Sequence, residues 1–230
     1  MMREPDRRLP SPRIEGGPVP GHQVPGGRIL GRRGGDPRGN ARLTAMTGTV
    51  LLVLFVAECL TLLDLGNMLT LHVFLGFLLL GPVSLKIGST LWRFTRYYTR
   101  SEPYVRRGPP HLPQRILGPF VILTTVAVLG TGVVLAFQGQ GQGPGSEQWH
   151  QLHREAFLVW VVVIVLHLAS YVPKLPGLLA RRPAERAQAM LAASRTRWLL
   201  LAGSLAAGLV LALVSYHLAA NWGGSGSLLP

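Results

Sequence analysis

One cysteine and two lysines are all that 230 residues supply. The single thiol, Cys59, can form no intramolecular disulfide and leaves no cysteine pair for a metal or redox motif. Charge is scarce as well, at 14% of residues, where a soluble domain usually carries about 25%. There is no P-loop, no His-Glu-x-x-His and no nucleophile elbow, which excludes the nucleotide hydrolases, zinc peptidases and serine hydrolases those motifs mark. Acidic residues number 10 against 23 basic ones, for a net charge of +13. That excess would suit nucleic acid, but the basic residues cluster between apolar runs and form no stripe through a domain, which excludes a nucleic-acid partner. Arginine replaces lysine almost throughout, beside abundant Ala, Gly, Leu and Pro, a composition typical of GC-rich bacterial genomes.

Hydrophobic residues make up 48% of the chain, and their distribution gives the fold class. Residues 1–42 hold nine arginines, much Gly and Pro and few large apolar side chains. Such a segment buries too little surface to offset its ordering entropy, so it reads as a disordered tail. It is too long and too Gly/Pro-rich for the charged start of a signal peptide, and Met46 offers an alternative start further in. Five apolar stretches follow, over 44–63, 68–91, 116–137, 152–172 and 198–219. Each is close to the ~20 residues that cross a bilayer core of ~30 Å. Continuous runs of this length, without short alternating segments, predict helices and not a barrel. The expected architecture is an all-α membrane protein of five transmembrane helices. Residues 43–172 form a four-helix bundle, 173–197 a basic loop, 198–219 a fifth, peripheral helix and 220–230 a terminal tail.

Every basic residue except Lys86 and Arg154 falls in three segments: the tail, the 93–115 loop and the 173–197 loop. The turn at 64–67 and the loop at 139–151 contain none. The positive-inside rule therefore places the tail and the two basic loops in the cytoplasm, and the C-terminus outside the cell membrane. Trp92, Trp149, Trp198 and Trp222 stand near helix ends, where interfacial anchors belong.

The ionisable residues within the apolar runs are Glu58, His72, Lys86, His153, His167 and His217. Such groups are expensive in a bilayer and are functional candidates for that reason. His153 and His167 are fourteen residues apart, about 40° short of four full turns, so they share one helix face about 21 Å apart along the axis. His72 and Lys86 repeat that spacing on the second helix, which runs in the same direction. The two helices thus offer matched rungs, an outer His72/His153 pair and an inner Lys86/His167 pair.

This arrangement resembles the membrane-embedded b-type cytochromes, whose four-helix bundles hold haem between two helices through paired histidines. The resemblance covers roughly residues 44–172. It implies that His72 and His153 are the axial ligands of an outer haem b, and that His167 is half of an inner site whose other half is Lys86. Lysine departs from the bis-histidine pattern there. The stretch from His72 to Tyr98, with Lys86-Ile87-Gly88-Ser89-Thr90 and Trp92-Arg93-Phe94, is also similar to a group of small bacterial multi-pass membrane proteins.

Each of these residues has a plainer reading beside the functional one. A transmembrane histidine can simply bond a neighbouring helix, and His150 could stand in for His153. Gly76, Gly130 and Gly132 leave room for a flat macrocycle, or permit close helix approach without one. Arg154 can pair with a haem propionate, or with Glu147 or Glu155. Glu58 can accept a hydrogen bond from a ligand histidine and fix its tautomer, or serve the fold alone. Lys86 can lay its stem along apolar surface and reach the inner headgroups. Three functional classes follow: a haem-bearing electron-transfer subunit relying on a redox partner protein or quinone, a cofactor-free assembly factor or small transporter, and a lipid-acting enzyme.

Overall fold

The computed structural model describes residues 37–101, 112–139, 145–171 and 195–223. All belong to one compact unit, Gly34–Pro230. The 1–36 portion of the tail, most of the 173–197 loop, the tip of the 93–115 loop, His22 and His111 lie outside the described residues. The described residues are helical and contain no strand: α1 (Pro37–Thr61), a 3-10 turn (Leu62–Asp64), α2 (Leu65–Tyr98), α3 (Leu112–Gln138), α4 (Ser146–Ala169), α5 (Arg195–Ser215) and a closing 3-10 segment (Tyr216–Trp222). Four stretches are long and apolar enough to cross a membrane: Asn40–Tyr98, Arg115–Gln138, Ser146–Ala169 and Arg195–Trp222. The first, of 59 residues, comprises both α1 and α2.

Side-chain contacts fix how the helices run. At one end of the α1–α2 pair, Asn40 donates to the Ser89 carbonyl at 3.0 Å. At the other, Glu58 meets His72 at 3.1 Å. The two helices are therefore antiparallel. Arg115 at the start of α3 donates to the Tyr98 hydroxyl at the end of α2, and Phe137 near the end of α3 packs edge-on against Phe77. Trp160 of α4 donates to Thr125 of α3 at 3.0 Å, while His153 reaches Thr131. Leu201 packs on Met46, and Trp222 donates to the Leu135 carbonyl at 2.9 Å. Successive helices thus alternate in direction. One end gathers Lys86, Arg93, Arg96, Arg100 and Arg115; the described carboxylates Glu58, Asp64, Glu147 and Glu155 sit toward the other.

α2 is the centre of the bundle and packs along α1, α3 and α5. Its 34 residues span about 51 Å at 1.5 Å each, so its arginine-bearing end projects well past a ~30 Å hydrocarbon core. Pro82, buried within it, has no N–H and leaves the Leu78 carbonyl without its usual helical donor. α5 crosses at this point. A Cβ at Gly208 would overlap the Leu78 carbonyl oxygen, and one at Gly81 would overlap the Ser204 carbonyl oxygen. The backbones touch because both positions are glycine, and the Gly208 Cα–H faces the freed carbonyl.

The expectation of a peripheral fifth helix is corrected here. α5 packs on α2 more extensively than any other helix does. Reading it as peripheral followed from the lack of a matched partner for its one intramembrane ionisable residue, His217, whereas glycine-mediated backbone approach makes the contact. Outward faces are apolar throughout: Leu63 is 82%, Leu123 66% and Leu199 71% exposed. Exposed apolar surface on this scale suits hydrocarbon as solvent and not water.

Candidate functional site

A cavity of about 520 Å³ opens in the half of the bundle away from the basic end. Its size is that of a small-molecule or cofactor site. Side chains from α1, α2, α3 and α4 and from the closing 3-10 segment line it, almost all apolar, with Glu58, His72, His153 and Arg154 among the few polar exceptions. α1 and α4 meet beside it through Phe55 and Trp160, ring centres 4.8 Å apart. α2 packs on α1, α3 and α5, and the cavity takes the space between its outer half and α4. The matched depth expected of His72 and His153 corresponds to a shared chamber.

Hydrogen bonds hold both rings. Thr61 Oγ1 donates to the Glu58 carbonyl at 2.6 Å, so toward His72 Nδ1, 2.9 Å away, it has only lone pairs to offer. A proton on His72 Nδ1 would be received by this hydroxyl or by the Glu58 carboxyl at 3.1 Å. The same logic holds across the cavity. Thr131 Oγ1 donates to the Ala127 and Val128 carbonyls at 2.8 and 3.0 Å and lies 2.9 Å from His153 Nδ1. Each ring is thus bonded at Nδ1 to a helix hydroxyl, an arrangement that suits an Nδ1–H tautomer with the lone pair on Nε2.

The rest of the lining leaves space or closes the chamber. Gly76 lies one turn from His72. A Cβ at Gly132 would stand 3.1 Å from His153 Cε1, so a side chain there would push the ring. Gly130, grouped with Gly132 on sequence grounds, does not line the cavity and faces open space. Arg154 is exposed at the cavity and pairs with no described carboxylate. Its candidate partner Glu155 instead accepts from Gln151 at 2.8 Å. His150 also lines the chamber, with its ring 6.4 Å from that of Trp222.

The inner rung is built differently. Lys86 donates to the Thr44 carbonyl of α1 at 2.6 Å, and its ammonium lies over Gly48, where a Cβ would be only 2.8 Å away. His167 packs edge-on against Tyr171 at 5.4 Å, with its Nδ1 buried and without a hydrogen bond. Neither Lys86 nor His167 lines the outer cavity. The Lys86 side chain is thus directed onto α1 at the Thr44 carbonyl and not into the outer cavity. His217 is exposed beside Tyr216 and takes no part.

Three residues of the site, Thr61, Thr131 and Trp160, escaped sequence reasoning, and Trp222, expected only as an interfacial anchor, also lines the cavity. Thr61 follows Glu58 by three residues and so shares its helix face, a pattern that could have revealed it. Thr131 sits between Gly130 and Gly132, but nothing in that run distinguishes a ligand's partner from a helix-facing hydroxyl. No protein-family model, curated protein or solved structure matches the chain.

Proposed function

We propose that this chain is a haem b-binding electron-transfer protein of the cell membrane, with His72 and His153 as the axial ligands. One observation supports the reading: two imidazoles, each bonded at Nδ1 to a helix hydroxyl, line one apolar cavity. Among the described residues there is no cluster of three or more His, Cys, Asp or Glu to hold a bare metal ion. Two imidazoles suffice when a macrocycle supplies the remaining nitrogens. The residues fit such a group. Gly76 and Gly132 give the Glu58 carboxyl and the His153 ring their space beside the cavity, and Arg154 offers its guanidinium to a propionate. Thr61, Glu58 and Thr131 hold the ligand rings in one tautomer and orientation. Bound haem would supply reversible one-electron chemistry, and the protein's part is to fix its ligands and exclude water. Neither the sequence nor the described residues offer a second redox centre, so donor and acceptor would be a partner protein or a membrane quinone.

The topology belongs to the same reading. The 59-residue stretch is an antiparallel pair and would cross twice, giving five crossings. The gathered arginines support a cytoplasmic location for that end and the tail, with the C-terminus outside.

Dithionite-reduced minus oxidised spectra of protein from haem-replete cells test the proposal. A b-type α band should appear, and His72→Ala or His153→Ala should each abolish its low-spin form. A colourless protein would leave the cavity to a cofactor-free function such as assembly or transport.

A further inference from the structure

The basic end of the bundle carries a second polar site, and two features fix its geometry. First, Phe55 of α1 packs at a tilt against Trp160 of α4, ring centres 4.8 Å apart. Gly48 lies two turns toward the basic end from Phe55, and His167 lies two turns toward it from Trp160. On antiparallel helices these positions share one depth and one interface, about 10 Å from the aromatic contact. Lys86 extends its ammonium over Gly48 and is held there by the Thr44 carbonyl. The Lys86 ammonium and the His167 ring thus face the same gap between α1, α2 and α4.

Second, the same alignment continues outward. Arg93 follows Lys86 by two turns and Tyr171 follows His167 by one. Burial pushes the Tyr171 phenol up, and the Arg93 guanidinium acts on it in the opposite sense, so the ends of α2 and α4 remain neighbours at this level. Lys86 and Arg93 thus form a short cationic ladder on the α2 side, with His167 and Tyr171 opposite.

Nothing described in the chain balances that ladder. The described carboxylates, Glu58, Asp64, Glu147 and Glu155, all lie toward the opposite end, and the only ion pair among described residues is Glu58–His72. His167 Nδ1 is buried with no partner, a vacancy that native proteins rarely leave without a ligand or water. A lysine at this depth with arginine two turns below it spans the level of inner-leaflet headgroups.

We propose that Lys86, Arg93 and His167 bind the phosphate of an anionic phospholipid of the inner leaflet, seated between α2 and α4. Lys86 and Arg93 supply the charge, and His167 Nδ1 supplies the hydrogen bond that otherwise has no partner. The tyrosine ring beside it holds His167 toward the gap. This site is independent of the haem reading, because it shares no residue with the outer cavity.

The test uses the full-length protein in mild detergent and native mass spectrometry. Dioleoylphosphatidylglycerol, dioleoylphosphatidylcholine and inorganic phosphate serve as probes. The anionic lipid should be retained in preference to the zwitterionic one. Lys86→Gln and Arg93→Gln should each weaken that retention about fivefold, the effect of one cation near a membrane surface, whereas Lys86→Arg should keep it. Arg195→Gln, at the same end but outside the site, should leave it unchanged. Equal retention of both lipids overturns the proposal, as does an equal loss on Arg195→Gln, which would mean diffuse surface attraction. Displacement by inorganic phosphate at the lipid's own concentration would assign the site to free phosphate and overturn the lipid claim. Each result is read without reference to the visible spectrum, so it stands or falls apart from the haem proposal.

Discussion

At the scale of single residues, the site depends on where two hydroxyl protons go. Thr61 and Thr131 each donate to a carbonyl of their own helix, which favours the imidazole proton on Nδ1. Replacing Thr131 with valine removes the side-chain partner of His153 and frees the ring to turn or change tautomer, whereas His72 without Thr61 still has the Glu58 carboxyl. Partners of this kind are typically worth 10–100-fold in metal-site affinity. Haem titration of the apo-protein should therefore show a loss of that order for Thr131→Val, and unchanged affinity would count against the tautomer argument. Gly132→Leu should be more severe, because a Cβ there already stands 3.1 Å from the His153 ring. The same titration should show little uptake. The histidines and Glu58 were legible from depth and spacing, since ionisable groups are conspicuous in apolar runs. The threonines were not, because a helical hydroxyl ordinarily bonds its own i−4 carbonyl and its remaining lone pair leaves no trace in the sequence.

At the scale of elements, the α2–α5 crossing stabilises the bundle without any charge. Gly81 and Gly208 let the backbones touch where Pro82 has freed a carbonyl. Gly208→Leu should destabilise the protein by about 1–3 kcal/mol or more, the usual range for overpacking. Gly203→Leu is a matched control on the same helix: a Cβ there meets nothing within 4 Å. It should be neutral, or slightly stabilising because glycine is a poor helix former. Thermal unfolding in detergent compares the two, and equal effects would contradict the crossing. Five apolar runs and their approximate limits were legible from hydropathy. The closeness of α5 was not, because two glycines on an apolar helix look the same whether they face lipid or a partner. Hydropathy also missed the early start of α4 at Ser146. Its first turns are polar, and they carry His150, His153 and Arg154 to the cavity.

At the scale of the whole molecule, charge and chemistry are segregated along the bundle axis. The half away from the basic end holds the cavity, the histidine pair and every described carboxylate, while the basic end holds the lysine–arginine ladder. Reporter fusions after Gly143 and after Gly224 should both report an external location, and one after Arg186 a cytoplasmic one. An external signal at Arg186 would invert the molecule. The segregation itself was legible from the positions of arginine. The way the inner rung is built was not: spacing paired Lys86 with His167, but only the packed bundle brings the lysine to the Thr44 carbonyl. The central claim is that one haem, and not two, is held by His72 and His153. The pyridine haemochrome assay, set against protein concentration, measures this most directly. The account predicts about one haem per chain, unchanged in His167→Ala and lost in His72→Ala. No haem, or two per chain falling to one in His167→Ala, would contradict it.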